Sequence, residues 1–195
     1  MQGMLKLARL VDALNDRVGR VVYWLVLAMV LVSAGNAIVR KVFNWSSNSL
    51  LETQWYLFSA VFLLCAGYTL LRNEHVRIDV VTGRLSHRAQ AWIDVLGTLF
   101  FLLPMTVTIM VMSWPYFMRS YTEHEISGSA GGLVLWYARI LLPAGFFLLS
   151  LQGISELIKR IAFLAGKGPD PVKRHDHNSE AELVEEIRRM AEGKG

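Results

Sequence analysis

The sequence has few of the residues that disulfide-bonded, haem-binding or metal-dependent proteins use. Cys65 is its only cysteine, so no disulfide can form within the chain. All five histidines lie outside the long apolar segments, whereas a haem-binding helical bundle needs histidines within its helices. His175 and His177 stand in a polar tail, where solvated side chains are a better interpretation than a weak metal site. We therefore expect no cofactor and no metal.

Charged residues are also scarce, and they are unevenly distributed. They make up 18% of the chain, whereas soluble domains have about 25%. Residues 21–39, 53–71 and 95–118 contain none, and residues 133–155 contain only Arg139. About 20 apolar residues cross a bilayer as a helix, because lipid offers the backbone no hydrogen-bond partners. The sequence therefore predicts an all-α integral membrane protein with four transmembrane helices.

Lysine and arginine residues fall in three blocks, which sets the predicted orientation. One block precedes the first span, one lies between the second and third spans, and one begins the carboxyl-terminal tail. Such residues are enriched on the cytoplasmic side of membrane proteins, so both termini are predicted to be cytoplasmic. The same distribution accounts for the net charge of +4 without a nucleic-acid partner.

Three further segments flank or connect the spans of the transmembrane domain, residues 21–158. Residues 1–20 are predicted to form an amphipathic helix on the cytoplasmic membrane surface, with an apolar stripe of Leu7, Leu10, Val11, Leu14 and Val18. Residues 72–94 are predicted to form a cytoplasmic arm, with apolar residues at Ile78, Val81, Leu85, Ala89, Trp92 and Leu96. The tail, residues 159–195, is predicted to be partly disordered, with a short helix near 180–190 after a capping box of Ser179 and Glu182. Membrane lipids are therefore expected partners.

The predicted spans hold no aspartate, glutamate, lysine or histidine. Carriers coupled to protons or sodium usually keep such a residue near the membrane midplane. The sequence also shows no nucleophile–base pair and no glycine-rich phosphate loop. We therefore expect no catalytic, metal-binding or substrate-binding residue in this chain and no enzymatic activity. The remaining classes are a subunit of a larger assembly, a scaffold and a small receptor.

Three polar residues near span ends are candidate structural or partner-contact positions. Glu52 lies at the outer end of the second span. Asn36, near the outer end of the first span, either hydrogen-bonds to another helix or meets interfacial water. Arg139, near the start of the fourth span, either reaches the outer surface as an anchor or pairs with a partner.

Three motifs in and after the second span resemble a known family. They read Glu52-Thr53-Gln54-Trp55-Tyr56-Leu57-Phe58, Ala66-Gly67-Tyr68-Thr69-Leu70-Leu71-Arg72 and His75-Val76-Arg77-Ile78-Asp79-Val80. With them, residues from about 10 to 160 resemble the small membrane subunit, or DctQ-like subunit, of tripartite ATP-independent periplasmic (TRAP) transporters. The resemblance implies a location in the bacterial inner membrane. It also implies two protein partners, a large multi-span permease subunit and a periplasmic solute-binding protein.

The resemblance further implies a role for the chain and for four of its residues. The small subunit would act as a membrane scaffold, or stator, for the large subunit during ion-coupled uptake of an organic acid such as a C4-dicarboxylate. Arg72, His75, Arg77 and Asp79 would anchor the turn from the second span into the arm. Arg77 and Asp79 would pair with each other, with the large subunit or with lipid headgroups. The alternatives are a stand-alone membrane scaffold or assembly factor, a membrane redox subunit and a self-sufficient small exporter.

Overall fold

The protein is all-α, as predicted. The computed structural model describes residues 2–45, 47–72, 85–166 and 168. These residues form α1 (Gln2–Phe43), α2 (Asn48–Arg72), α3 (His87–Gly97), a π-helical segment (Thr98–Leu102), α4 (Leu103–Thr122), α5 (Trp136–Arg139) and α6 (Leu141–Leu164). Outside the helices, one isolated β-bridge joins Ile126 and Val134 within the loop between α4 and α5.

Four helical stretches are long and apolar enough to cross a membrane, which confirms the four-span prediction. They are α1, α2, the continuous stretch His87–Thr122 and the stretch Trp136–Leu164. Large apolar side chains such as Leu31, Phe62 and Met112 point away from the bundle and are mostly exposed. In a membrane these side chains face lipid tails, so their exposure costs nothing.

Helix α6 lies at the centre of the bundle and contacts α1, α2, α3 and α4. Small residues let its neighbours approach closely. A Cβ added at Gly145 would lie 2.7 Å from the carbonyl oxygen of Leu63, so α2 and α6 touch at the backbone. A Cβ added at Gly153 would lie 2.6 Å from a methyl group of Leu102 in the π-helical segment. Membrane helices pack in this way because small residues bring their backbones together.

Both proline-containing spans change geometry close to the proline. The π-helical segment ends at Leu102, and Pro104 then stands in the first turn of α4. Pro143 likewise stands in the first turn of α6, just after α5 ends at Arg139. Because proline has no backbone N–H and its ring crowds the preceding turn, a span that contains one changes its hydrogen bonding at that point.

The structure adds three details to the predicted organisation of the segments. Residues 2–20 are not a separate helix, because α1 continues without interruption to Phe43. Its 42 residues make it about 63 Å long, roughly twice the hydrocarbon thickness of a bilayer. Helix α6 extends to Leu164, beyond the predicted span end at residue 155. In α3 the residues buried in the bundle are Ala91 and Val95, whereas Trp92 and Leu96 of the predicted apolar stripe are exposed.

Two predictions concern residues outside the described part of the chain. Most of the predicted arm, residues 73–84, belongs there, and so does the tail helix predicted near 180–190. The described end of the arm, from Leu85 to Asp94, includes most of α3.

Candidate functional site

The polar side chains of the bundle gather at its two ends. The inner end carries the first turns of α1 and the last turns of α6, and the outer end carries the loop between α4 and α5. The two names follow the predicted orientation.

A cluster of six polar side chains joins α1 to α6 at the inner end. Its members, here called the inner cluster, are Asp12 and Asn15 of α1 and Gln152, Ser155, Glu156 and Lys159 of α6. The four α6 residues are spaced three or four positions apart and therefore share one face of the helix. Asp12 and Asn15 are likewise neighbours on one face of α1.

Gln152 is the centre of the inner cluster and is completely buried. Its Oε1 accepts a hydrogen bond of 2.9 Å from Asn15 Nδ2. Its Nε2 donates to Asp12 Oδ1 at 2.9 Å and to Glu156 Oε1 at 3.2 Å. Three of the amide's hydrogen-bonding positions are thus satisfied, as a buried polar group requires.

Lys159 supplies the positive charge that the two carboxylates of the inner cluster need. Its Nζ donates to the Asp12 oxygens at 3.1 and 3.2 Å and also to Glu156. Ser155 Oγ lies 2.8 Å from Asp12 Oδ1 and 3.1 Å from the carbonyl oxygen of Ala8, so it can donate to either. Paired and hydrogen-bonded, these charges avoid the penalty of isolated buried ions.

A second ion pair ties α6 to α3. The guanidinium of Arg160, which is mostly buried, donates to the Asp94 carboxylate. It also lies 3.9 Å from Glu156 Oε2, so this pair continues the inner cluster. Charge contacts thus hold α1, α3 and α6 together at the inner end.

Helix α2 closes the inner end through three contacts with α1. Gly67 packs against Asn15, and the ring of Tyr68 lies over Gly19. Arg72, a predicted anchor, donates to the Tyr68 hydroxyl at 3.1 Å and lies 3.4 Å from Asp16 of α1. The other predicted anchors, His75, Arg77 and Asp79, lie outside the described residues.

At the outer end, Glu52 holds the loop between α4 and α5. This residue is 5% exposed, and its carboxylate accepts hydrogen bonds from the Leu133 amide, at 2.6 Å, and from the Ser127 hydroxyl. Asn48 and Ser49, in the same first turns of α2, donate to carbonyl oxygens of the loop. Because these bonds reach several points of the loop, they fix its position on α2.

Arg139 pairs within the chain. Its guanidinium donates two hydrogen bonds to the Glu125 carboxylate, one of them 2.8 Å long. It also lies over the ring of Tyr116, 4.0 Å from the centroid. A bidentate pair with a stacked ring is a strong arrangement for arginine. Arg139 therefore joins the outer loop to α4 and α5.

Asn36 is buried on α1, and its Oδ1 has no hydrogen-bond partner among the described residues. It follows Met29 and Ser33 along one face of the helix. These two residues line a groove between α1 and α2, whose other wall is formed by Gln54, Trp55 and Phe58. A buried carbonyl oxygen without a partner is costly, and this one is enclosed by the chain itself, so the groove is the accessible surface at this position.

Sequence reasoning singled out both outer-end residues but missed the inner cluster. The apolar stripe of residues 7–18 drew attention to the opposite face of α1, away from Asp12 and Asn15. The usable signal was the spacing of Gln152, Ser155 and Glu156, which places polar residues on one face at the end of an apolar helix.

Comparison with protein families identifies the chain. The family model described as "Tripartite ATP-independent periplasmic transporters, DctQ component" matches residues 29–163, which include the outer part of α1 and nearly all of the other three spans. Searches of curated proteins and of solved structures give no match. The matched region covers more than half of the sequence and includes both Glu52 and the α6 part of the inner cluster. The chain therefore belongs to the DctQ family, the small membrane components of TRAP transporters.

Proposed function

We propose that the chain is a stator, a scaffold that holds the large permease subunit while that subunit moves. The large subunit would take up an organic acid, such as a C4-dicarboxylate, coupled to an ion, after delivery by a periplasmic solute-binding protein. The observation that carries the proposal is that the buried charged side chains bond to other groups of this chain. Glu52, Glu156 and Arg160, the buried charged residues of the described chain, each bond to other groups of the same chain.

Buried charges that bond within the chain suit a scaffold better than a carrier. A carrier must release its polar groups to a solute and rearrange them during each cycle. Here the inner cluster joins α1 to α6, Arg160 joins α6 to α3, and Glu52 joins α2 to the outer loop. Separating α3 or α1 from α6 would break the Arg160–Asp94 or the Lys159–Asp12 ion pair, and breaking one buried pair costs about 3–5 kcal/mol. The bundle is therefore expected to stay rigid during transport.

The proposal includes an orientation and two contact surfaces. The inner end faces the cytoplasm, and the fixed outer loop offers a surface to the solute-binding protein. Asn36 remains a candidate partner contact from its place near the outer end of the first span, although its Oδ1 is enclosed within the chain itself. Arg77 and Asp79 remain candidate contacts from the sequence, and removing either charge is expected to weaken co-purification with the large subunit.

The stator role can be tested by locking two helices together. In a Cys65→Ser background, Asp16→Cys and Arg72→Cys place one thiol on α1 and one on α2, at a 3.4 Å ion pair near the surface. A short bifunctional maleimide then links the two helices in the complete three-protein system. Uptake into proteoliposomes is expected to continue at the unlinked rate, because a stator does not need to move there. The two single-cysteine variants, treated identically, control for the modification.

Two outcomes would contradict the stator role. One is a loss of uptake on linking that is reversed by cleaving the linker. The other is full uptake by the large subunit and the solute-binding protein in vesicles that lack this chain. Accumulation of solute by this chain alone would instead show that it is a carrier.

A further inference from the structure

The inner half of α1 carries an apolar stripe that no described residue covers. Leu7, Leu10 and Leu14, here called the inner stripe, are 54%, 69% and 42% exposed. They share one side of the helix, whereas Ala8 and Asn15 on the other side are buried against the bundle. Leucines in a row are expected to be covered, because each loses favourable burial when it faces water.

The continuity of α1 separates the inner stripe from the lipid tails. The first apolar span begins at Val21, and Leu7 precedes it by about 21 Å along an unbroken helix. Even with a tilt of about 40°, the depth difference is roughly 16 Å. Lipid tails therefore do not reach Leu7 or Leu10, and a protein segment has to cover them.

The charges beside the inner stripe indicate the composition of the segment that would cover it. Lys6, Arg9 and Arg17 are exposed on this half of α1. The acidic residues of the same half are already engaged, Asp12 with Lys159 and Asp16 with Arg20 and Arg72. The surface around the stripe is thus positive and suits an apolar segment with acidic flanks.

The carboxyl-terminal part of the sequence has that composition. Over residues 179–190 the apolar residues Leu183, Ile187 and Met190 recur at helical spacing. Among them stand four acidic residues, Glu180, Glu182, Glu185 and Glu186, and two basic ones, Arg188 and Arg189, so the segment has a net charge of −2. These residues lie outside the described part of the chain.

The carboxyl-terminal tail also begins close to the inner stripe. Ser155 of α6 lies beside Ala8 of α1, and the two helices run in opposite directions, so Leu164 lies near the amino-terminal end of α1. Between Leu164 and Ser179 the chain has roughly 14 residues, which reach up to about 46 Å when extended. Residues 179–190 can therefore return along the inner stripe.

We propose that residues 179–190 cover the inner stripe, with Leu183 and Ile187 against Leu7, Leu10 and Leu14 and the glutamates beside Lys6, Arg9 and Arg17. A tethered segment has the advantage of a high effective concentration over any free partner. A second copy of α1 fits less well, because it would bring the same basic residues together. The proposal does not depend on the stator role.

A cysteine accessibility experiment tests the proposal on the full chain in nanodiscs. In the Cys65→Ser background, Leu10→Cys reports on the inner stripe, and labelling by a membrane-impermeant maleimide is followed over time. Adding Ile187→Asp is expected to speed labelling at least about fivefold, because the tail is released from the stripe. The matched control is Ala181→Asp, which adds the same charge on the opposite side of the predicted tail helix and should leave the rate unchanged.

A second measurement does not rely on a disruptive substitution. Leu10→Cys with Ile187→Cys should form an intramolecular disulfide under mild oxidation, whereas Leu10→Cys with Ala181→Cys should form much less. Equal labelling with and without Ile187→Asp, together with no preferred disulfide, would overturn the proposal. Protection of Leu10→Cys that depends on protein concentration would assign the stripe to a second copy instead. Protection that arises only when the large subunit is added would assign it to that partner.

Discussion

Gly67 of α2 packs directly against the carboxamide of Asn15 in α1. A Cβ at position 67 would overlap Asn15 Oδ1 and stand 3.1 Å from its Cγ and 3.3 Å from the carbonyl oxygen of Leu148 in α6. Asn15 in turn donates a hydrogen bond to Gln152. The absence of a side chain at position 67 is therefore what lets three helices meet around one buried amide.

Gly67→Ala is expected to destabilise the bundle. The added methyl group must displace either Asn15 or the backbone of α6, and overpacking of this kind costs about 1–3 kcal/mol. The matched control is Gly35→Ala in α1, where an added Cβ meets nothing within 4 Å. Thermal unfolding of both variants in the same detergent, followed by size-exclusion chromatography, checks the difference. Equal melting temperatures for the two variants would show that the close contact does not matter.

Gln152→Leu is expected to weaken the junction between α1 and α6. The leucine fills a similar volume but removes the three hydrogen bonds of the amide, two of which go to carboxylates, and hydrogen bonds to charged groups contribute about 1.5–3 kcal/mol each. Asp12 and Glu156 keep their bonds with Lys159. Gln54→Leu makes the same chemical change at a half-buried position of α2 beside the groove. We expect a clear fall in melting temperature for the first variant and little or none for the second. A stabilised Gln152→Leu protein would mean that the amide is dispensable.

Lys159→Met tests whether the carboxylates of the inner cluster depend on this lysine. Removing one partner of a largely buried ion pair costs about 3–5 kcal/mol, because the remaining charge is left unpaired. Adding Asp12→Asn should restore part of the lost stability, since one of the two stranded charges is then gone. Lys41→Met, at an exposed position near the end of α1, is the control for losing a lysine. The free energies of unfolding of the wild type, Lys159→Met, Asp12→Asn and the double variant form a double-mutant cycle, and strictly additive effects would exclude the pairing.

The number and approximate positions of the spans were predictable because they depend on local composition. A stretch such as residues 53–71 is free of charge, and lipid forces an apolar stretch of that length to be helical. Glu52 was identified because it stands at a span end within a family motif. Its partners in the loop were not identified, since the Leu133 amide is brought to it only by the packing of α2 against that loop.

The inner cluster was not predictable by the same means. Residues 2–20 alternate charges and apolar residues as a surface helix does, and composition alone does not show that the helix continues straight into the span. The polar residues at the end of α6 resemble an ordinary solvated helix end. Their burial follows from the pairing of Gln152 with Asn15, two residues far apart in the sequence, and such pairings depend on the tertiary fold.

The outer loop is expected to lose its fixed position when Glu52 is replaced. Glu52→Leu removes both acceptor oxygens, so the Leu133 amide and the Ser127 hydroxyl lose a charge-assisted bond. Hydrogen bonds to charged groups contribute about 1.5–3 kcal/mol, so exchange of the Leu133 amide should become about tenfold faster or more. Glu52→Gln should give a smaller change, because its amide keeps one acceptor for the Leu133 N–H. Hydrogen–deuterium exchange of peptides spanning residues 126–135 measures the effect. Glu123→Leu, at an exposed residue that pairs only with Arg119 in the described chain, should leave this exchange unaltered. If it accelerates exchange as much as Glu52→Leu does, the loop is held by general surface charge and not by the α2 carboxylate.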